Sequence, residues 1–249
     1  MRLVGILAAL SFLPVAAAQD SAPETLSGTI AYEITTRLDI DLPPELQHMA
    51  DQFPSSNTQN KLLHFTESAS LLVTAPAEED AEEDTDFSSR GMRVMFRRSA
   101  EDNALFVDRD ANRSVERRDF MGRTFLIDGE PEPMAWRLTD EQSEFLGYPC
   151  MKAIATVQDT VQVEAWFTPQ IPVSAGPDTY GGLPGLILVL TVDDARQTYI
   201  AREVTLGPLA EGTLSEPEDG RRVTRERFDE IMEERLNEMR RRGGFRLGN

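Results

Sequence analysis

Ala104-Leu105-Phe106-Val107-Asp108, Arg113 to Phe120 and Thr124 to Ile127 are short runs rich in apolar and β-branched residues. Turn-forming clusters, Asp102-Asn103, Asp110 to Asn112 and Asp128-Gly129, bound them. Runs of this length, recurring at intervals of about ten residues, are the pattern of an antiparallel meander. Downstream, Met134 to Leu138, Cys150 to Val157, Val161 to Thr168, Leu186 to Val192 and Gln197 to Leu206 continue the series. Upstream lie Met92 to Phe96, a strand region from Leu62 to Val73, and Ser27 to Leu38, where Ile30, Tyr32, Ile34 and Thr36 share one side. No helices of ten to fifteen residues alternate with these strands, which argues against a parallel doubly wound sheet.

Two segments have helical spacing instead. Pro43-Pro44 opens Glu45 to Gln52, with Leu46, Met49 and Ala50 on one side, and Phe53-Pro54 closes this short flap. Near the end, Thr224 is placed to cap a helix from Arg225 to about Arg242, which Gly243-Gly244 stops. Phe228, Ile231, Met232, Leu236 and Met239 fall on one face of it. Glu226, Asp229 and Glu230 crowd its first turns and Arg240-Arg241-Arg242 its last, in accord with the helix dipole. The predicted fold class is therefore mainly β (α+β). Its parts are a signal segment over 1–18, a β-rich domain over 19–207, a linker over 208–223, and a helix with its tail over 224–249.

Arg2, the apolar stretch Leu3 to Leu13 and Ala16-Ala17-Ala18 before Gln19 have the three parts of a secretory signal. The expectation is an exported protein, periplasmic, outer-membrane-associated or secreted. The apolar run is far short of the roughly 20 residues a spanning helix needs, and no later stretch qualifies. Peripheral contact with a membrane remains open. The 249 residues carry 43 acidic against 25 basic side chains, a formal charge of −18 that repels phosphate backbones and argues against nucleic-acid partners. Lys61 and Lys152 are the only lysines, which fits a salt-rich habitat or a codon bias towards Arg and Asp equally well.

Little in the chain points to catalysis. Cys150 is the only cysteine, so no internal disulfide is available, and its place between Pro149 and Met151 at an apolar strand entry predicts a buried, inert thiol. His48 and His64 are the only histidines, without His-x-His spacing or a Met-rich repeat, and no metal or other cofactor is expected. The acidic run Glu78 to Asp86 lacks EF-hand spacing and its central Gly, and is expected to be a solvated loop. No phosphate-cradling Gly loop, zinc spacing or G-x-S-x-G elbow occurs.

One block stands out by the order of its parts: Met134 to Leu138 with Trp136, Gly147 to Ala153 with Cys150, Glu164 to Thr168 with Trp166, then Ile171-Pro172, Gly176-Pro177 and Gly182-Leu183-Pro184-Gly185-Leu186-Ile187. It resembles the GLPGLI family of exported bacterial proteins, whose biochemical role is not established. The resemblance implies a bowl-like, half-barrel sheet similar to the amino-terminal module of a secreted bacterial glycoamidase and to the half-barrels of lipoprotein carriers.

Within the block, Pro172 and Pro177 lack ladder donors and call for a loop or edge. Gly182 and Gly185, with Ile187 and Cys150, are expected to set packing geometry. Trp136, Trp166, Tyr180, Leu183, Pro184 and Leu186 are the candidate rim for a ligand or partner. Three functional readings follow, of which a hydrolase has the least support because the block carries no catalytic group. Another is a non-enzymatic carrier of an apolar small molecule. The third is a cell-envelope module that docks a partner protein through the GLPGLI rim and the C-terminal helix.

Overall fold

A computed structural model describes residues 26–38, 54–76, 103–131, 133–157 and 159–242. The expected signal segment, the Glu45 to Gln52 flap, the Glu78 to Asp86 loop and the Met92 to Phe96 strand lie outside the described residues.

Six strands form in chain order: β1 (Ser27–Arg37), β2 (Ser56–Thr66), β3 (Ala69–Thr74), β4 (Ala104–Asp108), β5 (Arg113–Phe120) and β6 (Arg123–Gly129). Five more follow: β7 (Arg137–Phe145), β8 (Tyr148–Val157), β9 (Val161–Thr168), β10 (Leu186–Val192) and β11 (Gln197–Leu206). A short β12 (Arg221–Thr224) leads into the helix α1 (Arg225–Arg242). All twelve strands join one mixed sheet in the order β12-β6-β5-β4-β3-β2-β1-β11-β10-β9-β8-β7. The meander is thus two meanders that meet where β1 pairs antiparallel with β11. Only β12, which runs parallel to β6, departs from the antiparallel pattern.

This order forces the sheet to curve. β6 lies second from one edge and β7 forms the other edge. Ten strand spacings would separate them by about 48 Å in a flat sheet. The connector 130–136 spans at most about 29 Å even when fully extended. The sheet therefore curls into an open bowl whose edges approach each other without pairing. Two tight hairpins assist the winding. Met121-Gly122 and Leu146-Gly147 each place two consecutive residues at positive φ (51° and 73°, 53° and 79°), the turn whose twist matches that of paired strands.

Alternation decides which face is inside. Ile30, Tyr32 and Ile34 of β1 are buried together with Leu63 and Phe65 of β2, Leu72, Leu105, Tyr199, Leu190, Ala165 and Val163. At the opposite end Phe228 of α1 is fully buried and meets Phe125 and Phe120 edge-to-face, with ring centroids 5.3 and 6.0 Å apart. Ile231 and Met232 complete this second, smaller core over Ile127 and Val223. Thr224 caps the helix by accepting the Arg227 amide at 3.3 Å.

Three sequence expectations need correction. The Leu62 to Val73 region is a hairpin, β2 and β3, because Thr66 Oγ1 accepts the Ala69 amide at 3.1 Å and closes a turn without Gly or Pro. Met134 to Trp136 precede the strand they were expected to form, and β7 runs on to Phe145. The last residues of the expected linker form β12, since Arg221 to Val223 find the free edge of β6.

Candidate functional site

Between β9 and β10 the chain leaves the sheet and folds back over its inner face. Ile171, Val173, Ala175 and Leu183 are each at most 3% exposed, while Pro172 and Pro184 point outward. The return is held by Leu186 N donating to Ile171 O and Ile187 N to Ala175 O, both at 3.0 Å. Tyr32 sends its hydroxyl across the core to Ile187 O. With no solvent to replace it, that carbonyl depends on Tyr32, and burial pushes the Tyr32 hydroxyl well above its ordinary range, so it only donates.

The two glycines of the block serve different ends. Gly182 lies at φ +86°, and the residue before it is fixed by Trp136, whose Nε1 donates to Gly181 O at 2.7 Å. Gly185 is needed for space. A Cβ there would lie 2.7 Å from the Thr168 carbonyl carbon and closer still to its oxygen. Gly176 is similarly crowded, with Ile187 Cδ1 at 2.6 Å from a built Cβ.

A polar cluster that the sequence did not single out pins the outer end of the loop. Asp178, at φ +48°, accepts the Tyr199 hydroxyl at one carboxylate oxygen and lies 3.3 Å from Lys61 Nζ at the other. Tyr180 stacks edge-to-face on Tyr199 at 6.3 Å. Burial, then the Asp178 charge, raises both tyrosine hydroxyls above their usual range. Both oxygens of Asp178 are engaged and both tyrosines stay protonated, so the cluster anchors the loop and offers no general base.

The remaining candidates do not gather at one rim. Leu183 and Leu186 are core residues at 2% and 0% exposure and present no surface, whereas Trp136 and Tyr180 are half-buried and Pro184 is exposed. Trp166 has other surroundings: Phe145 lies 5.6 Å from its ring and Lys152 Nζ 5.9 Å from the ring centre. Lys152 is shared by Glu164 and Glu141 at 3.1 and 3.3 Å, so both lysines of the chain are committed to carboxylates.

Cys150 is 1% exposed, and burial pushes its thiol up to about 11. His64 is on β2, where its Nδ1 meets Thr29 Oγ1 at 2.9 Å, and four strands separate it from β8. Among the described residues, Cys150 therefore has no histidine beside it; His48 lies outside them. Beside β7 an open cleft of about 400 Å³ is lined by Ala135, Arg137, Ile154, Thr156, Gln162 and Glu164. Among the described residues no group of three His, Cys, Asp or Glu side chains is placed to hold a metal ion. No described helix is long and apolar enough to cross a membrane.

Comparison with known proteins matches this same region. The sequence model of a family described as "Protein of unknown function (Porph_ging)" matches residues 155–189, from β8 through the whole loop into β10. Among curated proteins nothing matches. Among solved structures the chain is similar to PNGF-II in two crystal forms, each at a TM-score of 0.55 and 14% identity. Those matches cover 83% of this chain but 32% and 33% of PNGF-II, so the chain spans about a third of that protein's length. An uncharacterized conserved protein from Thermus thermophilus also aligns, at a TM-score of 0.42 and 8% identity, over 82% of this chain and 92% of its own. At such identities the likeness to PNGF-II is one of fold.

Proposed function

We propose that the protein is an exported, non-enzymatic member of the GLPGLI family that acts as an interaction module of the cell envelope. Export is supported by the Arg2 to Ala18 signal pattern, and the family by the ordered fragments from Trp136 to Ile187. The observation that carries the interaction reading is the division of α1. Phe228, Ile231 and Met232 fasten its first turns to the sheet, whereas Glu233 to Glu238 are all exposed and Leu236 is 43% exposed. A helix normally buries an apolar stripe along its length, and over 233–238 this one leaves its stripe residue Leu236 unclaimed.

Trp136, Tyr180 and Pro184 supply the accessible part of the GLPGLI rim. A carrier of apolar ligands has less support, because Ile171, Val173, Ala175 and Leu183 occupy the inner face such a ligand would need. The test is site-specific photo-cross-linking in the intact envelope, with the photoreactive residue at Leu236 or at Pro184 of the full chain. The expected result is a defined protein adduct from each position, with the Leu236 adduct competed by an added α1 peptide. A Leu236 adduct that the α1 peptide does not compete, or that contains lipid alone, would refute docking through the helix.

A further inference from the structure

β7 closes one edge of the sheet, and no described strand pairs with its outer side. Seven of its nine residues are exposed, all but Thr139 and Phe145. Phe145 and Tyr148 flank the two-residue turn Leu146-Gly147. That turn makes Phe145–Tyr148 and Ser143–Cys150 the hydrogen-bonded pairs, so Gln142 and Glu144 direct their main-chain N–H and C=O groups away from the sheet. A bulge between Leu138 and Gln142 is stabilised internally. Thr139 Oγ1 accepts the Glu141 amide at 3.2 Å and donates to Lys152 O at 3.3 Å.

Edge strands commonly carry charges that discourage pairing. Here the charge has one sign over the free stretch. Asp140 and Glu144 have no ion-pair partner among the described residues, and Glu141 shares Lys152 with Glu164. A second copy of β7 laid antiparallel would bring these carboxylates near their own counterparts, which disfavours self-pairing. A strand bearing cations would meet the opposite situation. Leu138 and Leu146, 49% and 47% exposed, add an apolar contact at each end.

We propose that β7 is a strand-addition site for an extended cationic segment of a partner protein, which pairs with Gln142 to Phe145 and sets its basic side chains against Asp140 and Glu144. The inference rests on the interaction reading above and names a second surface for it. Its mode is main-chain pairing for affinity and side-chain charge for selectivity.

The experiment titrates the full chain, by fluorescence anisotropy, with three end-capped heptapeptides. One alternates Val and Lys, one alternates Val and Glu, and the third is the Val-Lys peptide with every second amide N-methylated. Saturable binding of the Val-Lys peptide is expected, weaker by about tenfold on N-methylation, as loss of main-chain hydrogen bonds requires. Amide exchange at Gln142 and Glu144 should slow in the complex, and the double variant Asp140→Lys/Glu144→Lys should reverse the preference towards the Val-Glu peptide. Equal binding of the N-methylated peptide would show only attraction to a chain of charge −18 and would overturn strand addition. So would absent binding, or an unchanged preference in the double variant. The titration does not involve α1, so its failure leaves docking through the helix to be judged by cross-linking.

Discussion

Replacing Gly185 by Ala tests whether the GLPGLI block is packing geometry. The added Cβ would sit 2.7 Å from the Thr168 carbonyl carbon, 3.0 Å from Pro169 N and closer to Thr168 O, all of them backbone atoms. Relief requires the start of β10 to withdraw from the end of β9 by roughly 1 Å, since carbon and oxygen do not pack closer than about 3.2 Å. That shift breaks the 3.0 Å bond from Leu186 N to Ile171 O and loosens the cover formed by Ile171 and Leu183. Overpacking of this kind costs about 1–3 kcal/mol and one lost hydrogen bond about 1 kcal/mol. The smaller conformational freedom of Ala in the unfolded chain offsets about 0.4–1 kcal/mol. The net loss is about 2 kcal/mol, or about 4–8 °C in Tm for a chain of this size. Thermal and urea unfolding followed by circular dichroism measure it. Gly181→Ala serves as the reference, because Gly181 lies outside the left-handed region and a built Cβ there meets only Ser174 O, at 3.4 Å. If Gly185→Ala melts no lower than Gly181→Ala, the crowding argument fails and the block must be explained as a site.

Three further outcomes are expected. Phe228→Ala removes the ring held by Phe125 and Phe120, a deletion worth about 3–5 kcal/mol; hydrogen exchange should become fast along Arg225 to Glu238 while β1 and β11 stay protected. Trp136→Phe loses the bond to Gly181 O and should lower stability by about 0.5–1.5 kcal/mol, read as a shift of the urea midpoint with an unchanged slope. Cys150 should resist a thiol reagent at pH 8 in the folded protein and react fully in urea. Because burial raises its folded value to about 11, its contribution to stability is intact below the ordinary thiol range near pH 9 and is lost as pH rises towards 11. Between pH 9 and 10 the parent should therefore destabilise more steeply than Cys150→Ala.

How much of this was legible in the sequence depended on whether an element carries its own reason to form. Ala104–Asp108, Arg113–Phe120, Val161–Thr168, Leu186–Val192 and Gln197–Leu206 were read to the residue, because each buries a face and ends at a local turn signal. β7 has neither: Arg-Leu-Thr-Asp-Glu-Gln-Ser-Glu-Phe lies at an edge, buries almost nothing and shows no alternation to read. β12 is four residues whose only reason to be extended is the unsatisfied side of β6, more than ninety positions earlier. The anchor of the loop is hidden for the same cause, since Lys61 and Asp178 are 117 positions apart and neither has a telling neighbour. The candidate rim was misjudged in part because hydrophobic residues in a named motif were assigned to its surface. Leu183 and Leu186 are apolar for the usual reason, burial, and only the residues the loop cannot turn inward, Pro184 among them, are left to meet a partner. The same logic applies to the bowl. No strand encodes its curvature; it follows from the seven residues allowed between β6 and β7 once the strand order is known, so shortening the 130–136 connector should strain the whole sheet and lengthening it should not.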